Sequence, residues 1–160
     1  MSVAIYPGSF DPITKGHQSI ALRAAGMFEC LFIAIGENTD KRCMFSLEQR
    51  ILFIEKTFAE VKNIQVVSYK GLTIDFCMEH HINYIVRGLR SGIDWHTESS
   101  MANANKLLAP SIETIFLLTD SQCVGVSSSV VRDILKNGGD VSAFVPATLL
   151  PILKQEQYEL

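Results

Sequence analysis

Short apolar runs alternate along this chain with stretches whose apolar residues recur every three or four positions. Residues 3–6, 31–35 and 84–86 are apolar throughout, and 64–69 and 112–118 are largely so. Their lengths suit strands, and the unbroken runs suit strands covered on both faces of a parallel sheet. From His17 onward Ile20, Ala21, Ala24, Ala25 and Phe28 fall on one helical face, and Leu47, Ile51, Ile54 and Phe58 on another. Ser46, followed three residues later by Gln49, reads as a capping box opening that second helix. A short helix is predicted through Phe76 after Gly71-Leu72, and a long one over about 94–108, stopped by Pro110. Ser127 opens a further helix that Gly138-Gly139 breaks, and Pro146 stands where a last one begins. This alternation predicts an α/β fold, a five-stranded parallel sheet flanked by helices, with residues 1–160 as a single domain.

Composition narrows the function classes. With 48% hydrophobic and 19% charged residues among 160, the chain can bury a sizeable core and does not read as disordered. A net charge of −3 argues against a nucleic-acid partner, which normally demands a basic face. No apolar run is long enough to span a bilayer and no leader pattern opens the chain, so a cytoplasmic protein without a membrane partner is expected. Cys30, Cys43, Cys77 and Cys123 lack the close pairs of a zinc site and read as buried free thiols.

The most informative stretch links the first strand to the first helix: Pro7-Gly8-Ser9-Phe10-Asp11-Pro12-Ile13-Thr14-Lys15-Gly16-His17. Gly8 and Gly16 let backbone amides approach a ligand, and a helix start presents unpaired N–H groups and a positive dipole end, which suits phosphate. The loops after the other strands carry Lys41 and Arg42, Arg87 and Arg90, and Ser127, Ser128 and Ser129. In open α/β sheets ligands bind beyond the carboxyl ends of the strands, so these cations and hydroxyls share one rim. Lys41-Arg42 alone fits a solvated loop equally well, and the serines fit a helix cap. Arg87 and Arg90 carry more weight, because both can fork onto phosphate directly after an apolar strand. A small polyanion fits the rim as a whole.

The run Gly8-Ser9-Phe10-Asp11-Pro12 followed by Thr14-Lys15-Gly16-His17 resembles the signature of the nucleotidylyltransferase superfamily. Arg87-Gly88-Leu89-Arg90, with Asp94, Glu98, Val126-Ser127-Ser128-Ser129, Arg132 and the segment from Met44 to Arg50, is similar to the phosphopantetheine adenylyltransferase family, and the likeness covers nearly the whole chain. The resemblance implies a Rossmann-like fold and transfer of the adenylyl group of ATP to 4′-phosphopantetheine, giving dephospho-coenzyme A and pyrophosphate. It implies Mg²⁺ held by the ATP phosphates with no metal ligand from protein side chains, and a cytoplasmic homohexamer.

By the same resemblance Ser9 touches both substrates, and Lys41, Thr73 and Arg87 hold phosphopantetheine. Phe10, His17, Gly88, Leu89, Arg90 and Glu98 contact ATP, as do Cys123, Val124, Gly125, Val126, Ser127, Ser128 and Ser129. His17 stabilises the transition state, with Lys41 and Arg90 as further catalytic residues. The acceptor phosphate is already an anion, so in-line attack on the α-phosphorus needs placement and charge, not a general base. Thr97, Ala104, Lys106, Cys123 and Gly125 depart from residues common in the family, which bears on the pantetheine and adenine pockets and not on the phosphate-handling set. Two other readings fit the residues: a nucleotidylyltransferase for another phosphorylated acceptor, such as nicotinamide mononucleotide or glycerol phosphate, and an ATP-binding module without turnover.

Overall fold

The computed structural model describes residues 2–37 and 42–156. Five parallel strands, β1 (Val3–Gly8), β2 (Cys30–Gly36), β3 (Ile64–Tyr69), β4 (Tyr84–Leu89) and β5 (Glu113–Leu118), form one sheet in the order β3-β2-β1-β4-β5. Among the described residues six α-helices connect or follow them: α1 (Lys15–Ala25), α2 (Leu47–Thr57), α3 (Thr73–Glu79), α4 (Gly92–Leu108), α5 (Ser128–Lys136) and α6 (Leu150–Glu156). From β1 the chain runs outward through β2 and β3, then returns to β4 on the other side. The switch point therefore lies between the carboxyl ends of β1 and β4, where a ligand crevice opens.

Alternation along the central strands divides the core between the two faces. Ala4, Tyr6, Leu31, Ile33 and Ile35 join the cluster under α1, α2 and α5, together with Ile20, Phe53 and Val131. Ile5, Ala34 and Ile85 point the other way, against Ile74, Cys77, Ala109 and Ile112. Both faces being covered accounts for the continuous apolar runs of β1 and β2. Of the cysteines only Cys77 is buried; Cys30, Cys43 and Cys123 are half-buried, so the expectation of buried thiols holds for one of the four.

Helix starts follow the sequence chemistry. Ser46 caps α2 through its hydroxyl, and Gln49 returns a bond to the Ser46 amide at 2.7 Å. Thr14 caps α1: its side chain accepts from the His17 amide while the His17 ring takes the N3 role of the capping box. The strand expected over 84–86 continues to Leu89, because Arg87, Gly88 and Leu89 pair in register with Phe116, Leu117 and Leu118 of β5. Arg87 thus stands within a strand, on a stiffer base than a loop gives. Helix α4 begins at Gly92, and none of its described side chains is buried; Trp95 packs edge-on against Phe116 while Met101, Leu107 and Leu108 are exposed. Lys41 lies outside the described residues.

Candidate functional site

Two cavities open at the carboxyl ends of the strands, one of about 400 Å³ beside α1 and α5, and one of about 500 Å³ beside α3 and α4. Pro7, Gly8, Ser9, Arg87 and Glu98 line both and form the partition. The first cavity is polar. His17, Arg42, Arg90, Arg132 and the residues Val126, Ser127, Ser128 and Ser129 surround it. The second is more apolar, with Leu72, Ile74, Met101 and Leu108 around Thr73, whose hydroxyl lies 2.7 Å from that of Tyr69.

The loop after β1 is shaped by contacts of its own residues. Phe10 adopts φ 45°, the left-handed region that non-glycine residues seldom enter, and its ring folds back under Gly8. A Cβ on Gly8 would lie 2.9 Å from Phe10 Cζ, so glycine is a packing requirement there. The Phe10 ring meets Tyr6 and His17 edge-on, at centroid distances of 5.4 and 5.1 Å. This aromatic floor is 2% exposed at Phe10, which therefore supports the cleft more than it presents surface to a ligand.

His17 Nδ1 accepts from the Thr14 backbone N–H at 3.1 Å, which assigns the ring proton to Nε2. Burial first, then the positive charges of Arg90 and Arg87, lower its pKa from 6.5 to about 4. Near neutral pH His17 is therefore an uncharged ring with a single N–H donor, fixed in orientation by the helix start. Lys15 is not part of this constellation, since its ammonium donates to the Ser142 carbonyl at 2.9 Å.

Arg87 and Arg90 are held by carboxylates. Arg87 Nε and Nη2 each donate to Glu98 at 2.6 Å, and Nη1 donates to the Pro7 carbonyl at 2.7 Å. Burial works against the Arg87 charge, but the bonds and charge of Glu98 outweigh it and raise its pKa. Arg90 donates to Asp94 through its amide at 2.9 Å and through its guanidinium at 3.1 and 3.2 Å. The three serines are similarly engaged: Ser127 Oγ caps α5 through the Val130 amide, Ser128 Oγ donates to the Pro12 carbonyl at 2.8 Å, and Ser129 Oγ accepts from Arg132 at 3.2 Å.

Of the residues expected at the site, Ser9, Phe10, His17, Arg87, Gly88, Arg90, Glu98, Val126, Ser127, Ser128 and Ser129 surround the polar cavity, and Thr73 lines the apolar one with Ser9 and Arg87. Leu89, which is buried, and Cys123, Val124 and Gly125 line neither of these two cavities, although Cys123 Cβ lies 3.6 Å from the place a Cβ on Gly16, a lining residue, would occupy. Among the departures from the family, Ala104 lines the apolar cavity, while Lys106 pairs with Glu113 on the outer edge. Sequence reasoning gave no role to Asp11 or Arg50, which are 4% and 8% exposed. Asp11 accepts from the amides of Met44 and Phe45 at 2.9 Å each and faces Arg132 at 3.6 Å; Arg50 donates to the Ser9 carbonyl at 2.9 Å. The signal for Arg50 was available: one charged residue within the apolar face of α2.

Residues 5–134 match the cytidylyltransferase-like family. A phosphopantetheine adenylyltransferase of Flavobacterium psychrophilum is 49% identical over 146 residues, 91% of this chain and 96% of that protein. One of Herpetosiphon aurantiacus is 41% identical over 155 residues, 97% of this chain and 94% of the relative. A solved chain from Vibrio parahaemolyticus assigned as a nicotinate-nucleotide adenylyltransferase superposes with a TM-score of 0.71 at 17% identity, covering 98% of this chain and 94% of its own, a likeness of fold alone.

Proposed function

This chain belongs to the phosphopantetheine adenylyltransferase family, and on that premise we infer that it transfers the adenylyl group of ATP to 4′-phosphopantetheine, giving dephospho-coenzyme A and pyrophosphate. The protein is a nucleotidyltransferase enzyme of coenzyme A biosynthesis. The observation that carries the site assignment is the partition: Arg87, fixed in β4, faces both a polar cleft and an apolar one. Such a pair of cavities fits a nucleotide triphosphate on one side and a phosphorylated, largely uncharged arm on the other. The acceptor phosphate would lie at Arg87 and Ser9, its pantetheine arm against Thr73, with Lys41 adding a charge from the loop after β2. ATP would lie against Gly88, Leu89, Arg90 and the 123–129 segment.

In this reading an oxygen of the acceptor phosphate attacks the α-phosphorus, a P–O bond forms, and the opposite P–O bond breaks to release pyrophosphate with its electron pair. Arg87 and Lys41 align the nucleophile. His17 donates its Nε2–H to the α-phosphate oxygens as charge grows there, and Arg90 with the amides of Ser128 and Ser129 offsets charge on the leaving group. Placement and electrostatic stabilisation carry the step, with no covalent intermediate. Asp94 and Glu98 are paired to arginines, and among the described residues no cluster of three or more metal-binding side chains occurs. That donor set fits Mg²⁺ entering on the ATP phosphates, where it would neutralise the leaving pyrophosphate.

No helix among the described residues is long and apolar enough to cross a membrane, and we place the enzyme in the cytoplasm, acting on small molecules as one 1–160 domain. The exposed Leu107 of α4, outside both cavities, supports a homo-oligomer, the hexamer the family resemblance implies; light scattering on the purified chain tests it. The activity is tested by pyrophosphate release from Mg-ATP with and without 4′-phosphopantetheine, beside nicotinamide mononucleotide and glycerol phosphate. Release dependent on 4′-phosphopantetheine supports the assignment, and preference for another acceptor or ATP binding without release overturns it.

A further inference from the structure

The polar cavity contains a group that the site assignment leaves without a task. Tyr6, the fourth residue of β1, is 5% exposed, its ring fixed edge-on against Phe10 at 5.4 Å and tilted against His17 at 6.4 Å. Its hydroxyl oxygen lies 3.7 Å from the position a Cβ on Gly88 would take, and the residue lines the polar cleft at the switch point between β1 and β4. The Tyr6 hydroxyl has no hydrogen-bond partner among the described residues. No fully buried side-chain oxygen or nitrogen among them lacks a partner, so this oxygen opens onto the cleft. A phenol packed so closely by its ring, with its polar end left for the cavity, calls for a ligand atom there.

The surroundings define that atom. Burial raises the pKa of the phenol, Arg87 and Arg90 pull against that rise, and Glu98 adds to it, so Tyr6 stays protonated and acts as a donor. The charges of the same two arginines act on His17. The two neutral donors therefore stand beside the same two arginines, and an oxygen of an anion between them satisfies both. Building on the reading of this cleft as the nucleotide site, we propose that the Tyr6 hydroxyl donates a hydrogen bond to an α-phosphate oxygen of bound ATP, as a second uncharged donor beside His17. Gly88 lies beside this hydroxyl: a Cβ there would press on Ile20 Cγ1 at 3.2 Å and stand in ordinary contact with the Tyr6 oxygen at 3.7 Å.

Tyr6→Phe removes the oxygen and keeps the ring packing. We expect a thermal midpoint within about 2 °C of the parent and ATP affinity within a few-fold, on the scale of one neutral hydrogen bond. The ³¹P resonance of the α-phosphate in bound Mg-ATP should move, with β and γ little changed, and turnover should fall at least about tenfold. Turnover within twofold of the parent, or an unmoved α-phosphate resonance, overturns the proposal. So does a ³¹P change confined to the acceptor phosphate. A parent protein that binds ATP but transfers nothing to 4′-phosphopantetheine would defeat the functional reading, and the α-phosphate shift would still decide Tyr6. As a variant insensitive to folding, 3,5-difluorotyrosine at position 6 lowers the acidity threshold of the donor. Its turnover should decline toward high pH earlier than in the parent, and an unaltered pH profile would count against a donor role.

Discussion

Glu98 grips Arg87 with both carboxylate oxygens, Oε2 on Nε and Oε1 on Nη2, each at 2.6 Å. The pair is 19% and 31% exposed in its side chains and stands in the wall between the two cavities. Such a fork fixes the guanidinium plane and leaves donors on Nη1 and Nη2 for an incoming anion. Glu98→Gln would replace one acceptor with an NH₂ group facing an N–H, so Arg87 should lose its fixed orientation. We expect the KM for 4′-phosphopantetheine to rise about tenfold with ATP affinity little changed, a loss on the scale of one charge-assisted bond. Titrations of each substrate separately would read this, and a fall in ATP affinity alone would put the carboxylate to work on the nucleotide instead.

Asp11 ties three parts of the chain together: the loop after β1, the 44–45 amides ahead of α2, and Arg132 in α5. Asn at this position can accept from one amide while its NH₂ confronts the other, deep in the fold. Asp11→Asn should cost about 2–3 kcal/mol of stability, read as a lower denaturant midpoint at unchanged slope. Stability within about 0.5 kcal/mol of the parent would show that the carboxylate charge is dispensable to the loop.

Ser128 is the first residue of α5, and Ser127 before it is extended at φ −139°, ψ 155°. Proline is tolerated at that helical position and after an extended residue, so Ser128→Pro should fold while deleting one backbone N–H. Ser128→Ala loses only the 2.8 Å bond to the Pro12 carbonyl. If the helix start holds phosphate through its amides, calorimetry should show ATP affinity down about tenfold or more in the proline variant and within about threefold in the alanine variant. Equal losses would assign the contact to the hydroxyl.

Much of this arrangement was legible in the chain because it is local. The Ser46–Gln49 capping box, the run of residues 31–35 and the serine cap of α5 depend on neighbours a few positions away. Strand β4 was legible only as far as Val86, since an arginine and a glycine interrupt its apolar pattern; pairing with β5 across the sheet extends it. Asp11 and Arg50 stayed hidden because their partners come from remote segments: the Met44 amide is 33 residues from Asp11, and Arg50 reaches the Ser9 carbonyl 41 residues back. The partition is a three-dimensional fact of the same kind. Neither Arg87 nor Glu98 indicates in sequence that each faces two cavities, or that the pair is closed by hydrogen bonds across 11 residues.

On the proposed mechanism His17 combines two jobs that variants can separate. Its Nδ1 holds the Thr14 amide at the start of α1, while its Nε2–H is the uncharged donor left for the cleft. His17→Ala loses both, and should cost about 1 kcal/mol for the cap and about 10²–10³ in turnover for the donor. His17→Gln keeps the cap, because glutamine is a regular N3 partner in a capping box. It should therefore recover the stability and little of the turnover. Recovery of both would reduce His17 to a helix cap. The pH dependence gives an independent reading. The folded-state pKa of about 4 lies below the ordinary 6.5, so between these values the unfolded chain binds the proton and the folded chain does not. Stability should then rise with pH through this window, and a fall from pH 7 to pH 4.5 should cost about 2 kcal/mol. Denaturant unfolding of the parent should show that fall, and His17→Gln should lack that share of it. An equal fall in both proteins would mean that His17 titrates alike in the folded and unfolded states, and would remove the case for a neutral ring at the reaction centre.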